Sequence, residues 1–199
     1  MTATLRFLVM VLLYGNIRIV GQTCTELSTA STVDLVKYLN RSKDSQKSLC
    51  VEYAIRHLGE KKSFEAILVI LRYLDYRREP TQFEKQGIAT SHGWYPATIA
   101  LYEIGKPAMP FIVERLATEM TLVERRNALE TIMDISSDDF VSAVKLIRSA
   151  AQKVKGDDVR ITEAEVRLTE ASREAARMCP PRVRPSCEAA LYDMPSPKP

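Results

Sequence analysis

Glycine is scarce in this chain: there are seven in 199 residues, and long stretches carry neither glycine nor proline. That scarcity excludes a turn-rich β architecture, whose hairpins depend on both residue types, and leaves helices as the default. Histidine is scarcer still. The only two, His57 and His92, fall in different elements, so no catalytic or metal pair is expected of them. No Cys-x-x-Cys occurs, which argues against a zinc site. Fingerprints of serine hydrolases, zinc proteases, phosphate loops and dinucleotide folds are all missing, which leaves no catalytic residue and no cofactor to name. The longest N-terminal apolar run, Phe7 to Tyr14, is too short to cross a bilayer. No basic stripe interleaved with aromatics appears, so nucleic acid is not an expected partner.

What is present is a globular balance: 46% hydrophobic and 27% charged residues suffice for a packed core. The net charge is +3, and setting aside Arg6 and Arg18 leaves about +1 for the rest. Those two arginines flank an apolar run with no acid beside it, followed by small residues up to Gly21. The pattern reads as a secretory signal peptide over residues 1–21, with Gln22 opening the mature chain and no stable membrane span after cleavage; retention as an uncleaved anchor is the alternative. Export to the periplasm or the exterior places Cys24, Cys50, Cys179 and Cys187 in an oxidising compartment. Four cysteines allow three pairings. The simplest joins Cys24 to Cys50 and Cys179 to Cys187, tying down the two ends of the chain.

Apolar spacing then predicts an all-α fold. A first helix follows Ser31, with Leu35, Val36 and Leu39 on one face. A second, Ser48 to Leu58, turns Leu49, Tyr53, Ala54 and Leu58 inward, with Gly59 as its C′ residue. Phe64 to Tyr76 is apolar nearly all round and reads as one helix buried on several sides. Residues 76–95 break the pattern, apart from a helical turn expected at Thr81 to Gln86. Pro96 and Pro107 each start a helix, and Pro110 is harmless because early helical N–H groups have no internal partner. Thr121-Leu122-Val123-Glu124 is a capping box whose helix buries Ala128, Leu129, Ile132 and Met133. Ser136 to Asp139 stop that helix and cap the next, which carries the stripe Phe140, Ala143, Val144, Ile147, Ala151 and Val154. A long helix with a narrow seam from Ile161 to Met178 follows, and prolines from Pro180 onward predict an extended tail over residues 179–199.

The helices repeat themselves. Ala54-x-x-x-Leu58 aligns with Ala100-x-x-x-Ile104, with Ala128-x-x-x-Ile132 and more weakly with Ala164-x-x-x-Leu168. A small residue lets two helices approach and a larger one fills the groove a turn later. The segment from Ala97 through Ile104-Gly105-Lys106-Pro107 to Ile112 resembles a HEAT repeat of the bilin-lyase-like bacterial type, with Lys106 where that family usually has aspartate. The resemblance covers about thirty residues well. It implies a short α-solenoid of antiparallel helix pairs over residues 22–178 that binds something along a surface.

Within such an array the irregular stretch draws attention, because loops of about twenty residues in compact domains tend to bind or to be disordered. Tyr76, His92, Trp94 and Tyr95 are its candidate binding residues; the competing reading has Trp94 plugging a gap between helix pairs. Asp134, Asp138 and Asp139 lack a calcium-loop rhythm and read as caps. The functional expectation is a non-enzymatic exported scaffold that holds a protein or peptide. The alternatives are a chromophore-lyase-like enzyme or accessory, as the resemblance implies, and a protein self-associating through the Ile161 to Met178 seam.

Overall fold

The computed structural model of the protein describes residues 24–41, 48–79, 94–154 and 158–192. The expected signal peptide, the helical turn at Thr81 to Gln86 and His92 lie outside the described residues. Within them the protein is all-helical, with α1 (Thr32–Leu39), α2 (Ser48–Glu60), α3 (Ile67–Leu71), α4 (Pro96–Ile104), α5 (Met109–Leu116), α6 (Leu122–Ile135), α7 (Phe140–Lys153), α8 (Val159–Met178) and α9 (Arg184–Ala189). No helix among the described residues is long and apolar enough to cross a membrane.

Local chemistry sets most helix starts. Ser31 Oγ accepts from the Asp34 amide at 3.2 Å and opens α1. The box at α6 closes both ways: Thr121 Oγ1 accepts from the Glu124 amide at 3.2 Å, and Glu124 Oε2 accepts from the Thr121 amide at 2.8 Å. Asp139 caps α7 by accepting from the Ser142 amide at 3.0 Å, and Asp158 caps α8 through the Arg160 amide at 2.8 Å. Pro96, and later Pro110, occupy first-turn positions of α4 and α5, where the missing N–H costs no helical bond.

Stacking follows the small-then-large repeat. Helix α2 packs on α4 and α4 on α6, while α3 packs on α5 and α5 on α7; α8 lies chiefly along α7 and also meets α5, α6 and α9. Ala54, Leu58, Ala100, Ile104, Ala128, Ile132 and Leu168 are buried, and Ala164 is half-buried. Two buried polar groups pin the layers. Tyr73 donates its hydroxyl to the Leu39 carbonyl at 2.6 Å, and Asn127 Nδ2 donates to the Leu74 carbonyl at 2.6 Å. On the outer side, Arg125 reaches from α6 to Glu174 on α8 at 3.1 Å.

Four expectations need correction. Leu49 is 71% exposed, because the buried face of α2 is Val51, Ala54, Ile55 and Leu58, and two residues before Val51 the helix has turned by about 200°. Gly59 is not a C′ residue. Helix α2 runs past it to Glu60, and the left-handed residue is Lys62 at φ 49°. Ser63 donates to the Leu58 carbonyl at 3.1 Å and Lys62 to the Gly59 carbonyl at 2.7 Å, the Schellman pair with a lysine at C′. The stretch from Phe64 to Tyr76 is not one helix: a 3-10 turn at Phe64–Ala66 leads into α3, and the Arg72 and Tyr73 amides then bond only three residues back. Finally, the tail turns helical. Pro185 sits in the first turn of α9, where it gives up no bond, and Cys187 and Ala190 are buried beneath α9 and the turn after it.

Both disulfides take the simplest pairing. Cys24–Cys50 ties an N-terminal 3-10 turn, Cys24–Leu27, to the start of α2. Cys179–Cys187 folds α9 back on the end of α8. The Ile161 to Met178 seam is occupied within the chain over its middle, since Leu168, Ala171 and Ala175 are buried while Ile161 and Met178 stay exposed.

Candidate functional site

Backbone bonds at the end of the irregular stretch decide where its aromatics stand. The Arg78 amide donates to the Trp94 carbonyl at 3.0 Å, which brings the two described ends of the stretch together. Tyr95 takes the N-cap position of α4, with its carbonyl accepting from Thr98 Oγ1 at 2.7 Å and from the Thr98 amide at 3.1 Å. Trp94 is thereby held between chain ends, with the Arg77 guanidinium 3.9 Å from its ring centre. Its indole Nε1 is buried and has no acceptor among the described residues.

Trp94 and Tyr95 form part of the wall of a groove of about 600 Å³. Helix α6 supplies Val123, Arg126, Asn127, Glu130, Met133 and Asp134, while Phe140 from α7, Met178 at the end of α8 and Pro180 just beyond it close the groove. A second depression of about 320 Å³ is lined by Thr98, Ile99, Tyr102, Asp134 and Ser137. Thr98 and Asp134 belong to both, so the two run together as one cleft along the α4–α6 seam. Within it Arg126 donates to Glu130 at 2.8 Å, and that hydrogen bond pushes the guanidinium pKa up.

The structure therefore brings Trp94 and Tyr95 to one place and leaves Tyr76 at another. Tyr76 packs edge-on against Tyr73, ring centres 6.1 Å apart, and is not among the residues that line the cleft. Sequence reasoning missed the α6 wall. Its signal was a second stripe at helical spacing, Val123, Arg126, Asn127, Glu130 and Asp134, running beside the core stripe to which Met133 belongs. Of the three aspartates read as caps, only Asp139 caps a helix; Asp138 lies 3.7 Å from Lys106, and Asp134 lines the cleft. Among the described residues no group of three or more His, Cys, Asp or Glu side chains is placed to hold a metal ion.

A third depression, about 390 Å³, lies on the outer face of α2 between Cys24, Leu49, Tyr53, Arg56, His57 and Glu60. His57 stacks on Tyr53 at 5.6 Å and meets Glu60 at 3.2 Å. Behind it, at the α2–α4 crossing, Glu103 has one carboxylate oxygen buried without a hydrogen-bond partner among the described residues. Burial raises its pKa, and the charge of Glu60 adds to the effect against Arg56 and Lys62.

No family model matches the chain, nor does any curated protein or solved structure.

Proposed function

We propose that the protein is an exported, non-enzymatic binding module, a short HEAT-like α-solenoid that holds a protein or peptide segment in the cleft between α4 and α6. The order of contacts supports the array: first helices α2, α4 and α6 stack in one layer and second helices α3, α5 and α7 in another. Two disulfides tying the chain's ends support an oxidising compartment.

The observation that carries the binding role is the groove itself. Trp94, Tyr95, Met133, Phe140 and Met178 converge on it from four separate parts of the chain, with charged groups among them. Concave sites lined by aromatic and apolar side chains with a few placed polar groups are where ligands gather. Aromatics and methionine are also the residue types enriched where proteins meet.

Panning a random peptide library on the oxidised full chain tests the proposal. Enriched peptides are expected to bind the protein and to weaken by about tenfold or more on Val123→Glu, since a carboxylate there intrudes on an apolar wall. Val123 is 42% exposed and lies in the first turn of α6, where a carboxylate suits the helix dipole, so the fold survives the change. Binders indifferent to that substitution, or no enrichment at all, refute the proposal.

A further inference from the structure

We propose that the Cys24–Cys50 disulfide is an exchange site: it captures a cysteine-bearing peptide segment as a reversible mixed disulfide on Cys24, with an apolar residue beside the captured cysteine resting on Leu49. The site stands apart from the α4–α6 cleft and shares no lining residue with it. Access separates the two bridges of the chain. Cys179 and Cys187 are both fully buried, so no thiol reaches either sulfur while the fold is intact. Cys24 is half-buried and lines the depression of about 390 Å³ on the outer face of α2, whereas Cys50 is 6% exposed and does not line it. An incoming thiol therefore meets Cys24 first. Exposed disulfides are the labile ones, and the sulfur that is attacked decides which thiolate departs.

The exchange balances within the two partners. A peptide thiolate attacks Cys24 Sγ and bonds to it; the bond from Cys24 to Cys50 breaks, and its electron pair leaves on Cys50 Sγ as a thiolate. The peptide sulfur is oxidised and the Cys50 sulfur reduced, and no other oxidant takes part. Cys50 is the third residue of α2, a helix of 13 residues, so the departing charge lies at the positive end of the helix dipole. Opening the bridge does not release the segment that carries Cys24. Leu27 and Ala30 pack against the core, and Lys61 Nζ donates to the Ala30 carbonyl at 3.3 Å. Cys50 thus stays close enough to Cys24 to return and expel the peptide, which makes the capture reversible.

The walls of the depression set the partner. Its charged side chains are already paired: Glu52 lies 4.0 Å from Arg56 and 3.7 Å from Arg78, and Glu60 lies 3.2 Å from His57. Apolar contact, rather than charge, does the selecting. Leu49 is 71% exposed one residue before Cys50, and the stacked rings of Tyr53 and His57 continue the wall one turn further along α2. A large apolar side chain next to the captured cysteine covers Leu49 and takes that surface out of water.

Two end-blocked peptides, Ala-Phe-Cys-Ala and Ala-Gly-Cys-Ala, test the proposal. Each is added in excess to the full chain, with both bridges formed and no denaturant, at mildly alkaline pH; the mixture is quenched with acid and mapped by mass spectrometry. The expected product carries the peptide on Cys24 and a free thiol on Cys50, with Cys179–Cys187 intact. The phenylalanine peptide is expected to reach a given level of adduct at about a tenfold lower concentration than the glycine peptide. In Leu49→Ser, checked by its thermal melt for intact folding, the adduct should still form while the preference for phenylalanine vanishes. An adduct on Cys50, an adduct on Cys179 or Cys187 as fast as on Cys24, or no adduct at all overturns the exchange site. Equal capture of the two peptides by the parent overturns the partner chemistry, and so does a preference that survives in Leu49→Ser.

Discussion

Replacing Gly59 by alanine sets two known effects against each other, and the structure decides between them. In an exposed helix the change would gain about 1 kcal/mol of helical propensity. At this crossing, however, a Cβ on residue 59 would lie 2.5 Å from the Ala100 Cα and 2.8 Å from the Ala100 Cβ. Carbon atoms rest at about 3.5–4.0 Å, so α2 and α4 must part by about 1 Å. The first of those atoms is backbone, and no rotamer change on α4 relieves it. Overpacking of this kind costs about 1–3 kcal/mol, and parting the helices also thins contacts among Ala54, Leu58, Ala97 and Leu101, all fully buried. The net expectation for Gly59→Ala is a loss of about 1–2 kcal/mol, or about 3–6 °C in Tm for a chain of this size. Thermal melts followed by circular dichroism, with both disulfides intact, measure it. Lys62→Gly supplies the counterpart: its left-handed backbone suits glycine, so that variant should gain about 0.5–1 kcal/mol. A Gly59→Ala protein as stable as the parent, or a Lys62→Gly protein less stable than it, would refute this account of how α2 ends and what it packs on.

The remaining predictions concern caps, the C-terminal bridge and pH. Thr121→Ala removes one half of the α6 capping box and should cost about 1 kcal/mol, read as a lower Tm with unchanged helix content. The double variant Cys179→Ser, Cys187→Ser should loosen α9, so that limited proteolysis cuts within residues 180–192 well before the parent is cut there; equal cleavage rates would show that α9 holds without its bridge. Burial raises the pKa of Glu103, so the folded chain holds that proton more tightly than the unfolded one. The contribution of Glu103 to stability is therefore complete below the ordinary carboxylate pKa and is lost as pH rises through the folded value. Melting Glu103→Gln beside the parent from pH 4 to pH 8 should show the variant's relative stability rising with pH, and a flat or falling difference would exclude the effect. Asp139 works in the opposite sense. Its bonds from Ser142 lower its pKa, so its contribution is present above the ordinary aspartate value and is lost as pH falls through the folded one; Asp139→Asn should lose most relative to the parent at neutral pH.

Periodicity was enough to read the helical class and the inward faces of α6 and α7, because a buried stripe repeats every three or four residues whatever it packs against. Elements governed by a tertiary neighbour were harder. Gly59 sits one residue from a helix end, where local rules assign it to the cap, yet what demands glycine there is Ala100 on another helix. Leu49 falls at helical spacing from Tyr53, yet the buried face of α2 is set by Val51, Ala54, Ile55 and Leu58. Pro185 looked like a helix breaker because a position in a first turn can be recognised only once the turn exists, and Cys187, one of the two bridge residues at that end, lies two residues further on.

The cleft shows the same division from the functional side. Trp94 and Tyr95 could be singled out because a lone tryptophan beside a tyrosine in an irregular stretch is rare enough to notice. Val123, Glu130 and Asp134 could not, because each alone is an ordinary outward residue of an amphipathic helix. Their meaning comes from α4 lying alongside α6. At the α2–α4 crossing Ala100 faces Gly59, so a small residue there sets where α4 lies, and α4 in turn meets α6 so that the two share Thr98 and Asp134 in one cleft. A larger residue at Ala100 would push α4 from its neighbours and change the binding surface without touching any residue that lines it.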